Sequence, residues 1–372
     1  MTGKEKNVHP RESHYRSAKQ QLALHKPNQT LHKPGVSSLT FLLKDERMKR
    51  RNFIYTTAAL TAGLSLPVFA TASQDAPIKI GIIGLDTSHS PAFAKYFNVT
   101  DKSNNFKVVA AYPHGSADIE SSVSRIPKYT EEVTGYGVEI VKSIKQLLQV
   151  VDVVLLETND GRLHKEQAFQ VLHAGKPMFI DKPVAASLED VIAIYEKARK
   201  LNVPVFSSSS LRYMETCQKV RHQNAIGKVL GADTFGPATR EAHHPDFFWY
   251  GIHGVEILYT VLGPGCESVT RFSKDNMDVV VGLWSDGRIG TFRGTREGQH
   301  DYGGTAFGTD GNLVLGPFSG YDALVSKIAE FFTSKKAPVD DRETIEIYTF
   351  MEAADESKRK GGATIKLTDV LK

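Results

Sequence analysis

The strongest chemical signal in this 372-residue sequence is a lysine followed by proline, in Asp181-Lys182-Pro183. It stands just past an apolar run, Pro177 to Ile180, that reads as a buried parallel strand. Proline disfavours helix in the residue before it, so Lys182 is held extended beyond the strand's C-terminal end. Ligands bind at that edge of a doubly wound sheet, which makes Lys182 the leading candidate for chemistry. A second signal follows the first strand, in Gly81-Ile82-Ile83-Gly84-Leu85-Asp86-Thr87-Ser88-His89. A dinucleotide-binding turn wants G-x-G-x-x-G here, for a tight turn, close approach to the pyrophosphate and helix packing. Only Gly84 fits. Asp86 takes the second glycine's place and His89 the third's. A carboxylate facing a diphosphate is electrostatically wrong unless it is neutralised or turned away. Otherwise this loop simply caps a helix with Thr87 or Ser88.

Other candidate groups lie at neighbouring strand ends. Glu157-Thr158-Asn159-Asp160 closes the strand before the lysine's, and His164 lies on the helix that follows. Thr158, Asn159, Asp160 and Asp181 should converge with the glycine loop on one crevice. The acidic residue that normally holds the ribose hydroxyls is missing from Ala110-Ala111-Tyr112-Pro113-His114-Gly115-Ser116, where Ser116 would suit a 2′-phosphate. Later, His243, His244, Asp246, Tyr250 and His253 crowd together, with Arg212 and Tyr213 upstream. Histidine and carboxylate are ordinary metal ligands, but this spacing fits no zinc signature. We therefore assign no metal and read the cluster as a lining that hydrogen-bonds substrate or moves protons. Arg212 has the alternative of a structural ion pair, and His164 that of a satisfied helix residue.

The elements that must position these groups alternate. Strands are expected at Ile78 to Leu85, Phe106 to Tyr112, Val151 to Glu157, Pro177 to Ile180 and Val203 to Ser207. Helices fall between them at Ser90 to Phe97, Lys142 to Gln149, Gly161 to Ala174 and from Ser187 to about Leu201. That alternation specifies an α/β fold, with a Rossmann-like doubly wound parallel sheet over residues 77–206. After that the runs are short and punctuated by Gly, Asp and Asn: Val229–Phe235, Ser268–Phe272, Asp278–Trp284, Arg288–Arg293 and Asn312–Leu315. They suggest an α+β domain at 207–340 with a mostly antiparallel open sheet and helices at Met214–Asn224 and Ile252–Leu262. Helices at Tyr321–Ser334 and Asp341–Lys360 follow. The last of these, with a strand at Thr364–Leu367, makes 341–372 the segment that completes the fold.

These residues together bring out a resemblance. Thr158 with His164, then Ala174-Gly175-Lys176-Pro177, Asp181-Lys182-Pro183, Ser210-Leu211-Arg212-Tyr213 and Gly227-Lys228-Val229 are similar to the glucose–fructose oxidoreductase/inositol dehydrogenase (Gfo/Idh/MocA) family. The likeness runs through the Ala353-Ala354-Asp355-Glu356-Ser357 helix and so spans nearly all of 77–372. The family's motif is Glu-Lys-Pro, and Asp181 is a conservative variant. The resemblance implies an NAD- or NADP-dependent oxidoreductase acting on a sugar or polyol hydroxyl, with Lys182 orienting nicotinamide and substrate and sharing in proton transfer. It implies a catalytic His253 from a D-x-G-x-H motif, which reads Trp249-Tyr250-Gly251-Ile252-His253 here, with Trp249 in place of the Asp. It also implies a homo-oligomer. The broken glycine pattern, the missing ribose acid and Trp249 motivate an alternative: a lyase, hydratase or hydrolase on a scaffold that no longer binds dinucleotide. A carbohydrate-binding protein without catalysis is a third class, disfavoured by the retained Lys182 and His253.

The first 51 residues hold twelve Lys or Arg against four Asp or Glu, a net of +8 in a chain whose total is +4. The remainder is therefore acidic, and a nucleic-acid partner loses its electrostatic support. Lys49-Arg50-Arg51-Asn52-Phe53-Ile54, an apolar stretch from Thr56 to Phe69 and Ala70-Thr71-Ala72 form a twin-arginine signal peptide over 48–72. The run is too short and too rich in Ala, Thr and Gly for a spanning helix, so membrane contact is expected only through the export signal. An uncleaved N-terminal anchor is the alternative. The expected location is periplasmic. Residues 1–47 read as a disordered or spurious extension, with Met48 as the true start. Cys217 and Cys266 are too few for a disulfide framework and are either one bridge or two buried thiols.

Overall fold

A computed structural model describes residues 76–371. The expected disordered extension and the twin-arginine segment lie outside these residues. The first half runs β1 (Ile78–Ile83), α1 (His89–Lys95, continued by a π-helical turn to Thr100), β2 (Phe106–Tyr112), α2 (Glu120–Val123), α3 (Ile126–Gly135), β3 (Glu139–Ile140), α4 (Ile144–Val150), β4 (Val153–Leu156), α5 (Gly161–His173), β5 (Met178–Ile180), α6 (Leu188–Leu201) and β6 (Val205–Ser207). All six strands are parallel, in the order β3-β2-β1-β4-β5-β6. The direction of winding reverses between β1 and β4, and that switch point is where such sheets open a crevice for ligand.

Sequence and local structure agree closely in this half. The β1 residues Ile80, Ile82 and Ile83 and all four residues of β4 are fully buried, as a strand covered on both faces requires. Ser143, Asp160 and Ser187 cap α4, α5 and α6 by accepting from backbone N–H groups in the first turn. Gly175 has φ +68°, the left-handed conformation that ends α5. The polar segment Glu120 to Ile140, unassigned from sequence, folds as α2, α3 and the short edge strand β3.

The second half contains a 3₁₀ turn (Ser210–Tyr213), α7 (Glu215–Gln223), β7 (Val229–Pro237), α8 (Asp246–Trp249), α9 (Ile252–Leu262), β8 (Cys266–Ser273), β9 (Met277–Trp284), β10 (Ile289–Thr295), β11 (Gly303–Gly308), β12 (Gly311–Leu315), α10 (Asp322–Ser334), α11 (Asp341–Arg359) and β13 (Ile365–Lys366). Its sheet has the order β12-β11-β7-β10-β9-β8-β13 and is antiparallel except for the β10–β7 pair. One face of this sheet packs on α9 and α11. The β11 strand was missed because Gly303-Gly304-Thr305-Ala306-Phe307-Gly308 carries little of the β-branched signal.

One expectation is corrected and one open alternative is settled. Helix α10, assigned by sequence to the second domain, packs on the first. Its Leu324, Val325, Ile328, Phe331 and Phe332 join β1, β2, Phe179 and Phe206 in one buried cluster. Their one-sided spacing supplies the cover that this sheet face needs, at about 1.5–3 kcal/mol for each large side chain buried. The two cysteines do not pair: Cys217 and Cys266 are separate buried thiols, each pushed up to about 12 by burial.

Candidate active site

The β1–α1 turn begins at Gly84, whose φ is +91° and whose Cα lies so close to Thr158 that a side chain there would strike its backbone. Only glycine fits this turn. From it the chain enters α1, and Thr87, Ser88 and His89 line a cleft of about 380 Å³. The opposite walls bring Asn159 from the end of β4, Lys182 from the end of β5, Ser210, and the α8–α9 residues Trp249, Tyr250 and His253. The cleft thus spans the switch point and reaches the second domain.

Within it, Lys182 and His253 are nearly buried, each 7% exposed. The Lys182 ammonium lies 5.8 Å from the centroid of the Tyr250 ring, and that ring stands edge-on to His253 at 5.2 Å. His253 Nδ1 is 2.7 Å from the Ser209 hydroxyl, which leaves Nε2 as its second functional nitrogen. Burial, reinforced by the positive charge of Lys182 and by His89, holds His253 well below the usual histidine value. It is a neutral imidazole at pH 7, the form that accepts a proton.

Asp86 does not face the cleft. It is fully buried, and its Oδ1 accepts from the Asn159 N–H at 3.0 Å. The backbone of Gly115 packs directly against its other oxygen. Burial pushes its carboxyl up to about 6, against the backbone hydrogen bonds that favour the charge. Both escapes from the electrostatic objection are therefore realised: the side chain is turned away, and burial opposes its charge. Asp86, expected from sequence to bind cofactor, is instead a brace joining the loops after β1, β2 and β4.

Several other sequence candidates lie outside the cleft lining, each for a visible reason. His164 is fully buried with its ring nitrogens 2.6 Å from the Thr158 carbonyl and 3.2 Å from that of Val184, so it ties two loops together. Asp160 caps α5 and pairs with Arg162. The hydroxyl proposed for a 2′-phosphate, Ser116, is taken up by Asp118 and Arg162. Arg212 sits between Glu256 and Glu343 at 2.7 Å from each and takes the structural alternative. Asp246 is bound to Arg271 and Lys358. His243 is at the surface beside Glu241, and His244 is buried against Gly161, its value driven down to about 4 by burial. Tyr213 packs into the apolar cluster under α10, and Thr158 against Gly84. Asp181 lies one layer below the cleft, with His89 Nδ1 2.8 Å from its Oδ2.

Sequence reasoning missed six of the sixteen residues that line the cleft. Ser121, Arg125 and Tyr129 come from α2–α3, and Tyr302, Phe318 and Tyr321 from β11 and the loop before α10. None of these stands in a motif. Only the aromatic residues in a Gly-rich stretch from 302 to 321 offered a signal.

Residues 78–209 match the model of the GFO_IDH_MocA family, described as an oxidoreductase family with an NAD-binding Rossmann fold. The match covers the Rossmann domain and leaves the second domain outside it. Among solved structures, a probable dehydrogenase from Thermotoga maritima is similar at 19% identity, over 79% of this chain and 100% of that one, with a TM-score of 0.65. Scyllo-inositol dehydrogenase from Lactobacillus casei, solved with NAD(H) and scyllo-inositol, is 15% identical over 78% and 99%, with a TM-score of 0.64. The WlbA dehydrogenase from Bordetella pertussis, solved with NADH and UDP-GlcNAcA, is 18% identical over 78% and 98%, at 0.63. At these identities the likeness is one of fold, and it extends over both domains. No curated protein sequence matches the chain.

Proposed function

We propose that this chain is an NAD(P)-dependent oxidoreductase that interconverts a hydroxyl and a carbonyl on a sugar or polyol. The observation that carries the reading is the meeting of Lys182, Tyr250 and His253 in one cleft with the turn at Gly84 and the start of α1. The residues present suit a dinucleotide. Gly84 keeps the turn tight, Asp86 is withdrawn, and Thr87, Ser88 and Asn159 offer hydrogen-bonding groups along the crevice. Bound there, the cofactor's nicotinamide supplies the hydride acceptor that no side chain can provide.

The chain's own residues handle the proton. Neutral His253 accepts it at Nε2 from the reacting hydroxyl, while Ser209 fixes the ring through Nδ1. The Lys182 ammonium stabilises the negative charge that develops on that oxygen, in surroundings where burial strengthens the interaction. Trp249, Tyr250 and Tyr302 supply apolar faces and polar edges of the kind that pack against a polyol ring. The similarity to dehydrogenases solved with inositol and with a sugar nucleotide supports the substrate class.

Two further parts of the proposal rest on other features. Phe235, Phe272, Leu283 and Ile289 are exposed on the strands of the second sheet, an apolar face that suits a homo-oligomer. The twin-arginine pattern supports periplasmic export of the folded protein, with its cofactor carried along and regenerated on the enzyme. Mass spectrometry of the molecules released on denaturing the exported protein tests the reading. NAD(H) or NADP(H) near one per chain is expected; an empty protein that also fails to bind added NAD⁺ or NADP⁺ contradicts it and favours non-redox sugar chemistry.

A further inference from the structure

Two residues that depart from the expected patterns meet in space. His89 replaces the third glycine of the loop, and Asp181 replaces the glutamate of Glu-Lys-Pro. They are 92 positions apart, yet His89 Nδ1 lies 2.8 Å from Asp181 Oδ2. The imidazole occupies space that a glycine would leave empty, and the carboxylate meets it at hydrogen-bond distance. A third group completes the set. Glu157, at the end of β4, is fully buried, and neither of its oxygens has a hydrogen-bond partner among the described residues; nor has Asp181 Oδ1. One oxygen from each carboxyl and one ring nitrogen of His89 all lie within 4.8 Å of one another.

Two buried carboxylates this close do not both ionise, because desolvation and mutual repulsion act together. A proton held on Glu157 removes that repulsion, and the two carboxyls approach within 4.8 Å through one oxygen each. Asp181, the carboxyl that stays ionised, then accepts from His89 Nδ1–H at Oδ2. That leaves Nε2 as the unprotonated nitrogen of an imidazole that lines the cleft. We propose that His89 is a second acid–base group of this cleft, oriented by Asp181 and backed by a protonated Glu157.

The charges around the set agree with it. Burial, then Asp181, raises Glu157 well above the usual carboxylate range, with Asp86 adding to the effect and Lys182 opposing it. For Asp181 burial also works against ionisation, but His89 and Lys182 outweigh it and hold the carboxyl low. Tyr321 stands edge-on to His89 with ring centroids 4.6 Å apart and helps to hold the ring in place. The three groups thus form a stack from buried acid to cleft, with one proton in reserve.

The substrate of this step rests on the oxidoreductase reading. A polyol presents more than one hydroxyl, and His89 and His253 reach the cleft from different helices, α1 and α9. His89 Nε2 takes the proton of a second hydroxyl: the new N–H bond forms as O–H breaks, and the electron pair remains on oxygen. The resulting imidazolium is paired with Asp181 and returns the same proton to that oxygen as product leaves.

The experiment is made on the resting, folded protein without substrate, so its failure is separate from any failure of the oxidoreductase reading. Nitrogen-15 NMR of the histidine rings gives the tautomer of His89, and infrared difference spectra at neutral pH report a protonated carboxyl. The proposal expects the Nδ1–H tautomer of His89 and a protonated-carboxyl band that disappears in Glu157→Gln. In Asp181→Asn the tautomer preference is expected to be lost. An Nε2–H tautomer in the wild-type protein, an ionised Glu157, or a stoichiometric divalent cation found by elemental analysis would each overturn it. Once a substrate is in hand, His89→Gln should flatten one limb of the kcat pH profile with NAD⁺ affinity kept. Loss of NAD⁺ affinity with the profile unchanged would show a phosphate contact in place of acid–base chemistry.

Discussion

The two halves of the molecule bury charge in opposite ways. In the second domain Arg271 is fully buried, yet its guanidinium meets Asp246 at 2.7 Å, Asp278 at 3.0 Å and Asp355 closer still, with the Phe247 ring 3.6 Å below it. Arg212 is likewise paired with Glu256 and Glu343, although its Nη2, like Asp246 Oδ1, has no hydrogen-bond partner among the described residues. At the C-terminal edge of the first sheet, by contrast, Glu157, Asp181 Oδ1 and Asp86 Oδ2 are buried with no hydrogen-bond partner among the described residues. Charges paired with counter-charges fix a packing arrangement. Unsaturated ones cost stability, and such groups gather where chemistry is done. At the sheet edge the unpartnered oxygens of Glu157 and Asp181 lie beneath the cleft, and that of Asp86 lies in the brace between loops.

The comparison breaks if the two sets respond alike to mutation. The largest stability effect is expected for Arg271→Met, which strands three carboxylates around an apolar side chain. Breaking such a buried network costs about 3–5 kcal/mol, readable as a lower urea midpoint. Asp86→Asn should act in the opposite direction. The folded protein holds this proton up to about pH 6, whereas the unfolded chain loses it near the ordinary value of 3.8. The raised value therefore lowers stability as pH rises from 4 to 6, with the full cost above that. Asparagine keeps an oxygen for the Asn159 N–H, so the variant should gain on the order of 2 kcal/mol at pH 8 and almost nothing at pH 4. Thermal melts at the two pH values decide it; destabilisation at pH 8 would mean that the charge itself braces the loops. The smallest stability effect belongs to Lys182→Ala, which should lower the melting temperature only slightly, by taking away a charge that favours the buried Asp181 carboxylate.

Much of this was legible in the sequence, for physical reasons that also explain the rest. Buried parallel strands announce themselves as apolar runs, and Ser187 or Gly175 punctuate helices through chemistry local to a few residues. Lys182 and His253 stand in short motifs and could be picked out. The α2–α3 segment and β11 could not, because their residues are polar or small and carry no clear period. Arg212, Asp246 and His164 are residue types that ligands also use, and only their partners, up to 131 positions away, show them to be structural. The meeting of His89 with Asp181 is likewise a tertiary fact, invisible to spacing along the chain.

The central claim is that Lys182 and His253 serve a hydride transfer within this cleft. The direct measurement is label transfer: polyols and sugars deuterated at carbon are turned over by the folded protein, and the nicotinamide is examined for deuterium. The account predicts deuterium on the cofactor with the wild-type protein and a loss of rate of about 10²–10⁴-fold in Lys182→Ala. Turnover by nucleotide-free protein, with no label passing to a cofactor, would contradict it.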